Sequence, residues 1–561
     1  MARFAPAQFR RRESDCWACV FPLPLNIVPC VALFAIAPAA CRAQNRSHRI
    51  HRGDLAMANS VLAGMLAAAV AASPAPPATL KVSGGSLAGL LMADGSSIYY
   101  GIPYAAAPAG ERRWKPPAER APWSGVLDAR KPASACVQEN VGWNGDFLAG
   151  ASEDCLTLSI RAPAAAGKTR LPVLVYIHGG SNSAAGAGNM AEDALHREGV
   201  LLVKIQYRLG LFGFMGLDAL REESPNKTSG NYALLDQIAA LKWVKANIAA
   251  FGGDPGNITI SGNSSGAFDA LLLTISPLAK GLFQKAILQA AAPGAPMTAQ
   301  QNEELGKVVL ERLKLPPGAA GLAQLRALPA DTVIKAGLKL PVRTGIDQRF
   351  LWEQQVVDGY VLPYAYSEAY ANGAGRGLAI IIGNNRQELG ADRKPDVVPA
   401  MLASAFGAQA GAARALYSDD ARLGSMPTQL LTDMWFRCPV HWLTGRMLKA
   451  TPKVWRYEFG FGVPGSGRPP EHTSEMHYVY NAVPASAIDA AWPPLQRYWA
   501  NFMRKGDPNG SGLPPWPPMG ARGAYLSVAP EGIGTGEGLR SAICELMYKE
   551  RDYPASPVAP G

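Results

Sequence analysis

Apolar residues along this chain come in short blocks whose period switches repeatedly between that of a strand and that of a helix. Leu80–Ser83, Gly89–Met92 and Ser97–Gly101 are brief runs divided by glycine-rich breaks, and they predict a β-rich beginning. Leu171–Ile177, Val200–Tyr207, Ile258–Ser261, Lys285–Gln289 and Leu378–Ile382 are nearly continuous apolar runs, the pattern of strands covered on both faces. Helical signals lie between them. Ile238–Phe251 carries Ile238, Leu241, Trp243, Val244 and Ile248 at helical spacing, and Ala267–Ile275 is apolar and long enough to begin a helix. Residues 296–345 and 400–450 read as mainly helical and are expected to cover the sheet edge and a pocket mouth. Strands alternating with helices predict an α/β fold on a mostly parallel sheet.

Composition narrows the class. At 561 residues and 48% hydrophobic the chain can bury one large core, and no internal repeat stands out. The formal charge of +10 invites a nucleic-acid partner, but residues 1–56 hold eight arginines against Glu13, Asp15 and Asp54. That segment carries +5, and the other +5 is spread over the remainder without a basic run, so nucleic-acid binding is set aside.

The N-terminus reads as an address. Arg10-Arg11-Arg12 precedes an apolar stretch, Val20–Ala40, and a second one, Val61–Ala72, ends in small residues before Ser73-Pro74. Four prolines in the first (22, 24, 29, 38) and the shortness of the second argue against a stable membrane span. A translation start at Met57 would account for the tandem arrangement. The expectation is a leader over 1–78, export, and one folded domain over 79–561. Four of the eight cysteines (16, 19, 30, 41) fall in the leader. Cys136, Cys155, Cys438 and Cys544 remain, an even number in a chain bound for an oxidising compartment. Cys16-x-x-Cys19 has no second ligand pair, and no metal site is expected.

The stretch that carries chemistry is Gly262-Asn263-Ser264-Ser265-Gly266, a G-x-S-x-G pattern set between a β-branched run and a helix. A strand doubling back into a helix brings two backbones close, which the flanking glycines allow, and the turn lifts the Ser264 hydroxyl clear of the sheet. Turn-forming composition alone would give the same five residues. The pattern gains meaning from its company.

That company is Gly101-Ile-Pro-Tyr104, Glu153-Asp-Cys-Leu156, His178-Gly-Gly180, Tyr207-Arg-Leu-Gly210, Gly230-Asn-Tyr…Leu-Leu-Asp-Gln237 and Phe251-Gly-Gly-Asp-Pro255, in this order. Together with the serine motif they resemble the type-B carboxylesterases, the cholinesterase-like branch of the α/β-hydrolase fold, from about residue 80 to the C-terminus. Pro464-Gly-Ser-Gly-Arg468 and Gly534-Thr-Gly-Glu-Gly538 are similar to bacterial esterases related to fumonisin esterase. The resemblance implies a serine hydrolase of carboxylic esters working through an acyl-enzyme, with a small-molecule ester as partner and no cofactor or metal.

A serine hydroxyl needs a base, and the base an acid to hold its tautomer. His441, His472 and His477 follow the motif at a distance. His441 sits among large apolar residues and His477 precedes Tyr-Val-Tyr, whereas His472 ends a Gly/Pro-rich loop and resembles the family's His-x-x-Glu signature. His472 is the candidate base, with His477 as its rival. Glu388 follows the run Leu378–Ile382 by a short loop and, with Asn385 three residues earlier, resembles the family's acid; Leu389 stands where the family has glycine. Asp358 and Asp392 are rivals, Asp358 reading better as a turn former.

The resemblance further assigns Gly180, Ser181 and Ser265 as oxyanion donors, with Ser181 in place of a third glycine, and pairs Cys136 with Cys155 and Cys438 with Cys544. Asn263 stands where the family often has glutamate, which points away from choline esters and toward neutral or anionic acyl groups, such as the polycarboxylate side chains released by fumonisin esterase-like enzymes. Two alternatives stay open: a catalytically inactive cholinesterase-like binding module, and a hydrolase of amides, carbamates or lactones.

Overall fold

The computed structural model describes residues 79–164, 169–188, 190, 193–294, 296–338, 355–389, 395–481 and 492–549. They fall within one unit, Ala75–Gly561. The expected leader over 1–78 and the rival carboxylate Asp392 lie outside the described residues.

An eleven-stranded sheet organises the chain. Its strands are β1 (Leu90–Leu91), β2 (Ser97–Pro103), β3 (Thr157–Ala162), β4 (Leu171–Ile177), β5 (Leu201–Ile205), β6 (Gly253–Asn263), β7 (Lys285–Gln289), β8 (Ala379–Asn385), β9 (Val454–Phe459), β10 (Ala524–Ala529) and β11 (Gly532–Glu537). In space they run β11-β10-β9-β8-β7-β6-β4-β5-β3-β2-β1. From β10 to β5 every neighbouring pair is parallel. The flanking pairs β10–β11, β5–β3, β3–β2 and β2–β1 are antiparallel. This is the mostly parallel α/β sheet of an α/β-hydrolase. A small sheet of Thr79–Val82, Gly85–Ala88 and Val126–Asp128 stands apart.

The central strands are apolar throughout because both faces are covered. Val173, Val175 and Ile177 face one core layer with Ala267, Leu271 and Ile238, while Leu174, Leu202 and Ile287 face another with Trp499 and Phe502. Several elements exceed their expected bounds, β2 running to Pro103 and β8 to Asn385. The helix expected over Ile238–Phe251 runs as α1 (Tyr232–Asn247) and closes in a 3-10 turn, Ile248–Phe251. Its residues are buried around most of its circumference, so one-sided periodicity hides its first turns. Strand β6 extends back to Gly253, which pairs with Leu171 across a register shift in β4.

The segment from 296 contains three helices, Ala299–Arg312, Gly318–Ala327 and Ala330–Gly337, the first capped by reciprocal Thr298 and Gln301 hydrogen bonds. They enclose a cluster with Trp114, Leu211 and Phe212. Residues 398–450 are mainly helical, with a π-turn at Asp433–Arg437, and α3 (Cys438–Ala450) follows it directly. Both cysteine pairs are joined, Cys136 to Cys155 and Cys438 to Cys544. Cys544 lies on α4 (Ser541–Tyr548), so the second bridge fastens the last described helix to the start of α3, just after the π-turn.

That bridge closes a long loop, 106 residues in sequence separation. The double variant Cys438→Ser/Cys544→Ser is expected to lose about 2–5 kcal/mol of unfolding stability. Urea unfolding of the two proteins side by side measures it; coincident midpoints would contradict it.

Candidate active site

The candidate residues follow the carboxyl ends of four strands of the parallel sheet, β4, β6, β8 and β9, where α/β sites assemble. Strand β6 runs directly into α2 (Ser265–Ile275) through Ser264, whose φ of 58° and ψ of −127° are strained for any side chain. The bend is over-determined. A Cβ on Gly262 would lie 2.3 Å from the Gly266 carbonyl carbon, and one on Gly266 would lie 2.2 Å from Ile177 O. Ser264 N–H donates to Gln289 O at the end of β7 (3.0 Å), and Ser264 O accepts from Phe268 N–H (3.0 Å). The Ser264 side chain makes no hydrogen bond among the described residues.

Glu388 follows β8, and His472 follows the long loop after β9. His472 Nδ1 lies 2.6 Å from Glu388 Oε2, with the carboxyl buried and the ring partly open to solvent. Glu388 Oε1 accepts from Asn385 N–H (2.6 Å), and its own N–H donates to Thr432 Oγ1 (3.1 Å). Burial pushes the Glu388 carboxyl up, while the His472 contact opposes that. Phe436, from the π-turn, covers the His472 ring at 5.0 Å between centroids. Asn263 Nδ2 donates to His472 O (3.4 Å), which ties the histidine loop to the residue beside Ser264.

A second carboxyl lies behind this pair. Glu475 is wholly buried and accepts from Asn385 Nδ2 (2.5 Å) and Asn263 Nδ2 (3.5 Å). Burial first, and the Glu388 charge second, push it up to about 8. The His-x-x-Glu spacing was the signal for it. The Asn263 side chain is buried against Glu475 and His472 O.

The loop after β4 holds Gly180, Ser181 and Asn182 at φ 106°, 57° and 58°. Non-glycine residues in this region cost on the order of 1–3 kcal/mol each. The N–H groups of Gly180, Ser181 and Ser265 donate no hydrogen bond among the described residues. Asn182 N–H donates to Ser265 Oγ (3.1 Å). Sequence reading missed Asn182 and its partner Asp269, although an aspartate in an otherwise apolar helix was a visible signal.

His178, His441, His477 and Asp358 have other work. His178 stacks on Tyr207 and donates from Nδ1 to Gly179 O (2.8 Å), and burial lowers it to about 4. His441 lies on α3, also lowered to about 4 by burial and by Arg456. His477 Nδ1 accepts from Asn481 Nδ2 (3.1 Å). Asp358 Oδ1 accepts from the N–H groups of Tyr360 and Leu362 and its Oδ2 from Asn231, closing a turn.

The Glu475 shift has a measurable sign. An exposed glutamate titrates near 4.5 and Glu475 near 8. Below 4.5 both folded and unfolded chains hold the proton; between 4.5 and 8 only the folded chain does, so this group's stabilising contribution is lost as pH rises through that window. Glu475→Gln, which keeps the shape of the protonated acid, is expected to gain stability relative to wild type from pH 5 to pH 8. Urea unfolding at both ends of the window tests this, and a pH-independent difference would refute it.

The chain is similar to known proteins over most of its length. The Carboxylesterase family pattern matches residues 76–398 and 410–547. Fumonisin B1 esterase of Sphingopyxis macrogoltabida is 34% identical over 521 residues, covering 87% of this chain and 93% of that protein. Carboxylesterase 1E of Mus musculus is 32% identical over 515 residues, covering 81% and 90%. A solved PNB esterase superposes with a TM-score of 0.72 at 28% identity, covering 84% of this chain and 99% of that one. The chain belongs to the carboxylesterase family and is a carboxylic ester hydrolase.

Proposed function

We propose that Ser264 is the nucleophile, His472 the general base and Glu388 the acid that orients it, with Gly180, Ser181 and Ser265 as backbone oxyanion donors. The observation that carries this reading is the 2.6 Å contact of His472 Nδ1 with buried Glu388, tethered through Asn263 to the strained serine. Glu388 accepts a hydrogen bond from His472 Nδ1–H and so leaves Nε2 as the basic nitrogen. Ser264 Oγ attacks the ester carbonyl and passes its proton to Nε2, while the oxygen that becomes negative meets three free N–H groups. Each such donor contributes about 2.7–4 kcal/mol to the transition state. The imidazolium protonates the departing alcohol, and water repeats the cycle to release the acyl group.

The substrate is a small-molecule ester, read here as one with a bulky or anionic acyl group. Support comes from uncharged Asn263 beside the nucleophile and from the relative named for fumonisin B1. Export is part of the same proposal: both cysteine pairs are joined, the N-terminal segment carries two apolar runs, and no helix among the described residues is long and apolar enough to cross a membrane.

A fluorophosphonate probe is expected to label the native protein at Ser264 and not Ser264→Ala. Ester hydrolysis should fall about 10³-fold or more in Ser264→Ala and roughly 10³–10⁴-fold in Glu388→Gln. Matched ester and amide substrates, fumonisin B1 among the esters, measure the preference. Unlabelled native protein beside a labelled control esterase would sink the assignment.

A further inference from the structure

We infer that Asp269 is a positioning residue for the oxyanion loop and acts through Asn182. The inference rests on reading Gly180, Ser181 and Ser265 as the donors. Asn182 is wholly buried with φ at 58°, and all four of its polar groups are engaged. Its N–H donates to Ser265 Oγ (3.1 Å), its carbonyl accepts from Gly210 N–H (2.8 Å), and its Oδ1 accepts from Tyr207 OH (3.3 Å). Its Nδ2 donates to Asp269 Oδ1 (3.1 Å). Two of these four contacts reach α2, the helix that begins with Ser265.

Asp269 is itself wholly buried, five residues past Ser264, on a helix otherwise built of Ala, Phe, Leu and Ile around it. Besides Asn182, its carboxyl accepts from Gln237 Nε2 (2.6 Å) and from Gln355 Nε2. No cation hydrogen-bonds it among the described residues. An apolar side chain could fill this place without losing hydration. What the carboxyl adds is an acceptor fixed to the nucleophile's own helix, gripping the strained loop that presents Gly180 and Ser181. The two halves of the oxyanion hole, one after β4 and one on α2, thereby share one frame. Three successive residues at positive φ persist only where their surroundings over-determine them. Without the grip the loop relaxes and its donors leave the line of the developing charge. Such a loss falls on the transition state and therefore on kcat, with KM little changed.

The test compares Asp269→Ala, Asp269→Asn, Asn182→Ala and the double alanine variant, made in the full chain and assayed on a p-nitrophenyl ester. A trifluoromethyl ketone, whose serine adduct places an oxyanion in the hole, is the second probe. Asp269→Ala should lose about 10- to 100-fold in kcat, less than or equal to the loss of a direct donor, with KM within about threefold. Ketone affinity should fall by the same factor. Asp269→Asn should recover most of the activity, because it keeps an acceptor for Asn182 and lets Gln237, whose buried Oε1 has no partner, turn its amide around. The double variant should be no worse than the poorer single one. Equal losses in the alanine and asparagine variants, a rise in KM at intact kcat, or fully multiplicative losses would overturn the inference. If Asp269→Ala does not fold, Asn182→Ala and Asp269→Asn decide alone. Full activity in Ser264→Ala would instead overturn the proposed function; Asp269 variants with full kcat in an enzyme silenced by Ser264→Ala would overturn only this inference.

Discussion

Everything at the site depends on one close approach, the return of the backbone from β6 into α2 across the end of β4. Three glycines make it sterically possible. A Cβ on Gly179 would meet Asn263 O at 2.6 Å, and those on Gly262 and Gly266 would meet backbone atoms at 2.2–2.4 Å. The strained φ of Ser264 follows from that crowding: the chain must reverse before it can move away. Because the crowding partners are backbone atoms of two adjacent parallel strands and a helix, the serine is placed by the sheet rather than by its own contacts. The strain costs a few kcal/mol by general experience with such residues, and the dense apolar layers on either face of β4 and β6 absorb it.

Charge is the second constraint. Glu388, Glu475 and Asp269 are all wholly buried, and burial pushes each of them up. Two ionised carboxylates cannot share one low-dielectric pocket cheaply, so Glu475, raised to about 8, keeps its proton at neutral pH while Glu388 takes the histidine contact. Asn385 and Asn263 serve this division. Asn385 donates from its backbone to Glu388 and from its amide to Glu475, and Asn263 donates to Glu475 as well. A glutamate at 263 would set a third carboxyl against the pair, which gives the asparagine a reason that concerns the site's interior.

The sequence carried the sheet well, because strands buried on both faces advertise themselves as apolar runs; Leu171–Ile177 and Lys285–Gln289 have the same bounds in both readings. It carried Ser264 for a local reason, the steric signature of the bend. The approach of His472 to Glu388 was legible by motif order and loop character, not by any pattern linking positions 84 residues apart. What it hid was the supporting layer. Asn182, Asp269 and the second carboxyl owe their roles to contacts between elements distant in the chain. Helix α1 was misjudged at its start because its first turns are buried on nearly every side and show no polar face to mark where it begins.

The supporting layer extends to the far side of Glu388 and His472. The π-turn Asp433–Arg437 widens the helix by one residue per turn, and that widening lets consecutive residues point in directions a regular helix would not combine. Thr432 takes the Glu388 N–H, Phe436 lies on the His472 ring, and Arg437 donates to Arg386 O two residues before Glu388. Arg437 is wholly buried, yet its guanidinium is neutralised by Asp433 and by Glu458 on β9 (2.8 Å). Arg540 completes the cluster by donating from Nε to Asp433 Oδ2 (3.0 Å), four residues before the Cys544 end of the disulfide. A buried charge cluster of this kind is costly to break because each partner left behind is an uncompensated ion. The bridge, the cluster and the π-turn therefore act as one fixture. Its consequence is that Glu388, on a short loop after β8, and His472, on a long one after β9, are braced from outside the sheet by a common set of contacts.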